Sequence, residues 1–248
     1  MRLSIIIPSF NEAVNFKRGC LNQIVDYLRV HELPWQVILV DDGSTDGSNR
    51  LLARYCRQHH WLFIQNSHQG KVAAVKAGVL AAINPYILFT DFDQATPITE
   101  VAKLLPYIDK KFDIIIGSRE IKGASRRKEP FYRHLMGKVF NYLVQFIALR
   151  GIYDTQCGFK IFKTSVAKNL FQSLKVYQPK TETYAFTGAF DVELLYLAKK
   201  KRLKIIEVPI NWTHAATTRV NPIRDSLRMF WDVLKIKLID LAGGYREI

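Results

Sequence analysis

The sequence predicts an α/β domain built on a mainly parallel sheet with helices on both faces, and three observations carry that expectation. Short apolar runs alternate with helix-period segments through the first 119 residues. The runs lack polar alternation, as expected of strands covered on both sides. Polar clusters follow the runs directly, at Pro8–Glu12, Asp41–Gly47, Asp91–Thr96 and Gly117–Arg119, where open parallel sheets hold their ligands.

Taken in order, Leu3–Ile7 reads as a buried strand and Asn15–Val30 as a helix. Trp35–Val40 is a second strand, Asn49–His59 a helix and Leu62–Ile64 a third strand. The Ala- and Val-rich Lys71–Ala82 reads as a helix, Tyr86–Thr90 as a strand, Thr99–Tyr107 as a helix and Asp113–Gly117 as a strand. The pattern then changes. Glu120–Pro130 is a Lys/Arg-rich loop, Phe131–Leu149 a long helix, and Ile161–Phe162 and Ile205–Pro209 are strands around an Asp191–Lys200 helix. In Pro222–Leu241, Ile223, Leu227, Phe230, Leu234, Leu238 and Leu241 share one helical face, largely opposite Arg224, Asp225, Arg228, Asp232 and Lys235. The expected division is one catalytic domain over 1–221, with halves 1–119 and 120–221, followed by an amphipathic helix in 222–248.

Composition narrows the chemistry. The 248 residues suffice for a large core. Lys and Arg number 36 against 22 Asp and Glu, a net charge of +14. That balance points to anionic partners: nucleic acid, an anionic membrane surface or phosphate-bearing substrates. Cys20, Cys56 and Cys157 are widely spaced, which argues against a disulfide scaffold and structural zinc and suits a reducing compartment. The apolar run before Pro8 is short for a signal peptide, and no stretch reaches the ~18 uncharged apolar residues of a membrane span. A cytoplasmic protein, peripheral on the cytoplasmic face of a membrane, is expected.

Asp41-Asp42-Gly43-Ser44-Thr45-Asp46-Gly47 either grips a base or ribose hydroxyl or is an acidic turn capping the next helix. Asp91-Phe92-Asp93 places two carboxylates one residue apart in extended chain, able to share Mg²⁺ or Mn²⁺ with substrate phosphates. Five acidic residues along one sheet edge call for a counterion. Gly70-Lys71 precedes a helix where backbone N–H groups and a lysine can meet phosphate, or the lysine is simply solvated. Arg119, Arg126, Arg127 and Lys128 neutralise phosphates or form a solvated basic loop. There is no GxGxxG, no P-loop, no GxSxG and no Cys–His pairing.

In chain order, PSFNE, LVDDGSTDG, DFDQATP, IIIGSR, DTQCGFKIF and AFDVELL resemble the family-2 glycosyltransferases, and in particular the dolichyl- or polyprenyl-phosphate sugar synthases. Asp154–Phe162, Ala189–Leu195 and Ile210-Asn211-Trp212 are closer to the glucose-type enzymes than to the mannose-type. The resemblance implies a GT-A-like nucleotide-diphospho-sugar transferase fold, a divalent metal (Mg²⁺ or Mn²⁺) and inversion at the anomeric carbon. It implies transfer of glucose from UDP-glucose to a polyprenyl phosphate at a membrane surface, with no nucleic acid. Matched positions put Pro8, Phe10 and Glu12 in the nucleotide pocket and Val40 and Asp42 on the base and ribose side. Asp91, Phe92 and Asp93 fall at the metal and diphosphate, and Lys71 at a basic position. Arg119 falls at the donor phosphate or sugar, and Arg219 where the family has a lysine that closes over the phosphates. Asp93, Arg119 and Arg219 are the expected catalytic groups. Gln94 stands one place earlier than the glutamine of the mannose-type metal site. The alternatives are the same fold acting on a soluble glycan or protein, for which Asp191 is the candidate base, or a basic binding module without turnover.

Overall fold

The computed structural model describes residues 2–31, 34–127, 131–177, 188–214 and 222–246. A seven-stranded sheet runs through it, flanked by helices. In chain order the first half contains β1 (Leu3–Ser9), α1 (Ala13–Lys17), α2 (Asn22–Val30), β2 (Trp35–Asp41), α3 (Ser48–Gln58), β3 (Leu62–Gln65), α4 (Lys71–Ala81) and β4 (Tyr86–Thr90). A 3₁₀ turn at Ile98–Glu100 leads to α5 (Val101–Leu104), α6 (Pro106–Asp109) and β5 (Ile114–Ser118). The second half contains β6 (Ser125–Arg127), α7 (Phe131–Ile147), β7 (Phe159–Lys163), α8 (Thr164–Gln172), α9 (Phe190–Lys200), β8 (Ile205–Pro209), β9 (Asn211–Thr213) and α10 (Pro222–Leu241).

The strand order is β3-β2-β1-β4-β7-β5-β8, and β7 alone runs against its neighbours. Successive strand residues point to opposite faces and fill two apolar layers. Ile6, Ile38, Ile87, Phe89, Ile114, Ile116 and Phe162 pack on one side with α4, α8 and α9. Ile5, Ile7, Leu39, Leu88, Ile115 and Ile161 pack on the other with α2 and α3. Alternation was invisible in the sequence because both faces are buried.

Three expectations change. The single helix over Asn15–Val30 is two, because Gly19 takes φ +77° between them. The helix over Thr99–Tyr107 is likewise divided, with Pro106 opening α6. Part of the basic Glu120–Pro130 loop is β6, which pairs in parallel with β9. The unforeseen α8 lies directly after β7 and buries Ala167, Leu170 and Phe171.

The C-terminal helix belongs to the core. Val233, Ile236 and Tyr245 are fully buried, and the Tyr245 hydroxyl donates to Glu193 on α9 (2.7 Å). Its inward face carries Asp225 and Asp232, both buried; Asp232 receives the Tyr177 hydroxyl at 2.8 Å. The apolar stripe Leu227, Trp231, Leu238 and Leu241 is 58–68% exposed. On α7, which packs against α10, Leu135, Val139, Tyr142, Leu143 and Phe146 form a second exposed stripe, with Phe146 at 91%.

Close packing of α4 on β1 depends on Gly78, where a Cβ would stand 2.4 Å from Ile6 Cγ2. Overpacking outweighs alanine's better helix propensity here, so Gly78→Ala is expected to lower stability by about 1–2 kcal/mol. The check is the urea unfolding midpoint.

Candidate active site

Ser9 and Asp41 are register partners at the ends of β1 and β2, and β4 ends beside them at Thr90. Parallel strands place the following residues on one edge. The Asp41–Gly47 loop then sorts its three carboxylates. Asp41 accepts the Ser44 N–H (3.1 Å) and hydroxyl (2.5 Å). Asp46 accepts the N–H groups of Ala13 (3.0 Å) and Ser48 (2.9 Å) and the Ser48 hydroxyl (2.5 Å). Burial opposes ionisation of Asp46, but the bonds from Ser48 and Ala13 outweigh it and hold its pKa below the usual range. Both carboxylates shape turns. Asp41 and Asp46 therefore need no counterion, which corrects the argument from five acidic residues.

Asp42 faces the site. Its carboxylate accepts the N–H groups of Gln69 (3.1 Å) and Gly70 (2.8 Å), and His68 Nδ1 lies 2.7 Å away. Burial raises its pKa against those bonds. The His68 ring stacks on Phe10, with centroids 4.0 Å apart and planes 8° from parallel. Gly70 then opens α4, and Lys71 in its first turn reaches Asp91 Oδ1 at 2.5 Å. Burial would lower the Lys71 pKa, but the Asp91 charge reverses the sign and raises it.

Asp91 and Asp93 follow β4. Asp93 accepts the Ala95 N–H (3.0 Å), and its pKa is pushed up to about 6, first by burial and then by the Asp91 charge, with Glu12 adding to it. Gln94, at φ +51°, donates to the Asp91 carbonyl (2.8 Å) and the Thr90 hydroxyl (3.2 Å), so it holds the turn.

Because β7 is antiparallel, its leading loop arrives at this same edge: Phe159 pairs with Thr90. A Cβ on Gly158 would stand 2.0 Å from Asp91 Oδ2, so only glycine admits the carboxylate there. Earlier in the loop, Asp154 takes Arg119 in a bidentate pair, Nε to Oδ2 and Nη2 to Oδ1, both 2.8 Å. The guanidinium lies over Trp212 at 5.3 Å. Burial opposes charge on both partners, yet each holds the other ionised, raising the arginine's pKa and lowering the aspartate's. Deeper still, the fully buried Lys160 donates to Asp191 Oδ1 (2.6 Å).

Residues 4–171 match the glycosyl transferase family 2 description. The chain belongs to that family. Its relatives include dolichyl-phosphate beta-glucosyltransferases of Dictyostelium discoideum, 31% identical over 98% of this chain and 76% of that protein, and of Homo sapiens, 31% over 99% and 78%. The Saccharomyces cerevisiae enzyme of the same name is 32% identical over 99% and 77%. Among solved structures, mannosyl-3-phosphoglycerate synthase from Rubrobacter xylanophilus superposes with a TM-score of 0.66 at 19% identity, covering 98% of this chain and 76% of that one. Glucosyl-3-phosphoglycerate synthase from Mycobacterium tuberculosis, in complex with Mn²⁺, UDP and phosphoglyceric acid, gives 0.63 at 16% identity, covering 96% and 78%. The fold is the GT-A fold of family-2 glycosyltransferases.

Within this family-2 site the expected residues divide. Phe10, Asp42, Lys71, Asp91 and Asp93 gather on one edge, with Glu12 buried close to Asp93. Pro8 and Val40 are register partners inside the adjacent strands β1 and β2. Phe92 is 2% exposed and belongs to the same apolar core layer as Val101 and Phe159. Arg219 lies outside the described residues. His68, Asp154, Gly158 and Lys160 were missed as site residues, although the DTQCGFKIF segment that carried the resemblance contains the last three. Among the described residues no group of three or more His, Cys, Asp or Glu is arranged for a metal. Two crowded carboxylates, one resisting ionisation, fit a hard cation whose remaining positions go to phosphate oxygens and water.

The raised Asp93 pKa has a measurable consequence for the metal-free protein. A carboxylate raised from 3.8 to about 6 destabilises the fold above pH 6 and is neutral below pH 4. Asp93→Asn is therefore expected to stabilise the protein in EDTA at pH 8 by about 1–2 kcal/mol. In thermal unfolding the gain should shrink between pH 6 and pH 4.

Proposed function

We propose that this family-2 enzyme transfers a hexose, glucose, from UDP-glucose to a polyprenyl phosphate on a membrane surface. The observation that carries the reading is the run of groups along the edge: an aromatic and a carboxylate at Phe10 and Asp42, then Gly70 and Lys71 at a helix start, then Asp91 and Asp93. That order suits a nucleoside followed by its diphosphate. Lys71 would leave Asp91 for the diphosphate when a cation takes the two carboxylates. Arg119, positioned by Asp154, offers its remaining N–H groups to the phosphate or sugar, and Arg219 is assigned from sequence alone.

A lipid phosphate oxygen attacks the anomeric carbon from the side opposite the diphosphate. The C–O bond to UDP breaks as the new one forms, and UDP leaves with the electron pair. A bound Mg²⁺ or Mn²⁺ supplies neutralisation of the departing diphosphate. Lys71 and Arg119 add fixed positive charge where the leaving group's charge grows. The phosphate nucleophile is already anionic, so no general base is needed. In agreement, Asp191, the base a hydroxyl acceptor would require, is committed to Lys160.

The acceptor reading is supported by the exposed apolar stripes of α7 and α10, bordered by the exposed Lys138, Arg150 and Lys235. Apolar helix faces with basic flanks lie in the interface without spanning it. No helix among the described residues is long and apolar enough to cross a membrane.

The test is nucleotide release from a panel of UDP- and GDP-sugars with Mn²⁺, with and without a short polyprenyl phosphate. UDP release from UDP-glucose that requires the lipid is expected, with Asp93→Asn slowing it by about 10²-fold or more. Lipid-independent release would move the acceptor to a soluble molecule. Separately, Phe146→Glu with Trp231→Glu is expected to cut sedimentation with anionic vesicles by about tenfold or more, leaving UDP binding unchanged.

A further inference from the structure

The His68 ring stacks on one residue and meets both the carboxylate and the main-chain carbonyl (3.1 Å) of another, and together these contacts describe a binding slot. Its ring is stacked on Phe10 at 4.0 Å and 8°, and its Nδ1 is 2.7 Å from Asp42 Oδ2. A flat heteroaromatic ring with an N–H on its edge thus fits between an aromatic face and a buried acceptor. A nucleobase such as uracil has that description. The slot also has the right neighbours: His68, Gln69, Gly70 and Lys71 are consecutive, so the ring in the slot lies two residues from the helix start where a diphosphate would be met.

We propose that His68 occupies the nucleobase position of the donor site and must leave it when the nucleotide binds, so that this side chain sets nucleotide affinity. The inference rests on the nucleotide-sugar reading above. Three features favour displacement over a fixed wall. Asp42 is only 2% exposed, and the imidazole fills the place between its Oδ2 and the Phe10 ring that a base would take. The other ring nitrogen, Nε2, is buried with no protein partner among the described residues; an unmet polar atom makes the stacked position costly to hold. The backbone, by contrast, is held. Gly43, at φ +74°, lets the His68 main chain approach so closely that a Cβ would stand 2.8 Å from His68 N, and the Gln69 and Gly70 amides are tied to Asp42. The motion is therefore rotation of one side chain, not opening of a loop.

A site that is open only part of the time binds with an apparent affinity reduced by the open fraction. Removing the ring should abolish that reduction for ligands carrying a base and for no others. The experiment is calorimetric titration of wild type and His68→Ala with UDP and with inorganic diphosphate, both in Mn²⁺. The expected result is UDP binding tightened by about tenfold, with diphosphate binding unchanged. Equal or weaker UDP binding in His68→Ala, with diphosphate unchanged, overturns the proposal and makes His68 a wall of the pocket. Failure of both proteins to bind any nucleotide overturns the nucleotide-sugar reading together with this one. A second measurement needs no loss of the side chain. In wild type the His68 ring-proton signal, assigned with His68→Asn, should move downfield on adding UDP as the ring leaves the face of Phe10, and stay in place on adding diphosphate. A signal unmoved by saturating UDP overturns the proposal.

Discussion

Alternating charge is the constraint on which the rest of the structure depends. From the core to the sheet edge the order is Lys160, Asp191, Lys71, Asp91, Asp93, with direct contacts between Lys160 and Asp191 and between Lys71 and Asp91. Lys71 and Asp191 also feel one another, as each shifts the other's titration. Buried charges of one sign are tolerated only when the opposite sign lies beside them. Asp93, at the outer end, is buried with Asp91 and Glu12 near it; Lys71, paired to Asp91, offsets this only in part, and the ionisation of Asp93 is suppressed. The unbalanced end of the series is where a cation and a diphosphate would enter. The residues that balance the buried charge are thus the ones the proposed donor site would use.

Backbone geometry makes the series possible. Gly158 lets the β7 leader press against Asp91, and Gly43 does the same for the His68 segment against the Asp42 turn. Both contacts follow from the strand order. The antiparallel β7, inserted between β4 and β5, brings the loop before it to the edge where its parallel neighbours end. One loop thereby supplies Asp154 for Arg119 and Gly158 for Asp91, although Arg119 and Asp91 follow different strands. A parallel strand in that place would have delivered its leading loop to the opposite edge.

Much of this was legible in the sequence, and the remainder was hidden for identifiable reasons. The bounds of β4, β8 and α10 were readable because apolar runs or helical spacing stop there at polar residues, Gly or Pro. The position of Asp91 and Asp93 at the sheet edge was readable because they directly follow an apolar strand run, as the structure places them after β4. Asp41 and Asp46 looked equivalent to Asp42, since composition does not say which carboxylate turns back on its own loop. The Arg119–Asp154 pair spans 35 residues, and nothing local marks it. His68 gave no signal either: a lone histidine in a loop lacks periodicity, and its meaning comes from Phe10 and Asp42, which reach it from other strands. In α10 the apolar stripe was visible but its direction was not. Amphipathicity reports that two faces differ, and the structure turns inward the face bearing Asp232, Val233 and Ile236, where Asp232 accepts the Tyr177 hydroxyl.

The short motif on α9 joins the edge to the exposed helical face. Asp191 and Glu193 are two residues apart, so they leave the helix in divergent directions. Asp191 turns to Lys160 and the charge series. Glu193, fully buried, accepts the N–H groups of Lys175 (2.5 Å), Val176 (3.0 Å) and Tyr177 (3.1 Å) together with the Tyr245 hydroxyl. Tyr177 in turn donates to Asp232 on α10. A single rigid turn of helix thus carries the inner end of the charge series and the anchor of the C-terminal helix. If the acceptor arrives from a lipid surface as proposed, that arrangement would hold α7 and α10 in place relative to the charge series through buried hydrogen bonds. Position, the main contribution asked of a protein whose nucleophile is already charged, would then be set by the same helix that closes the core.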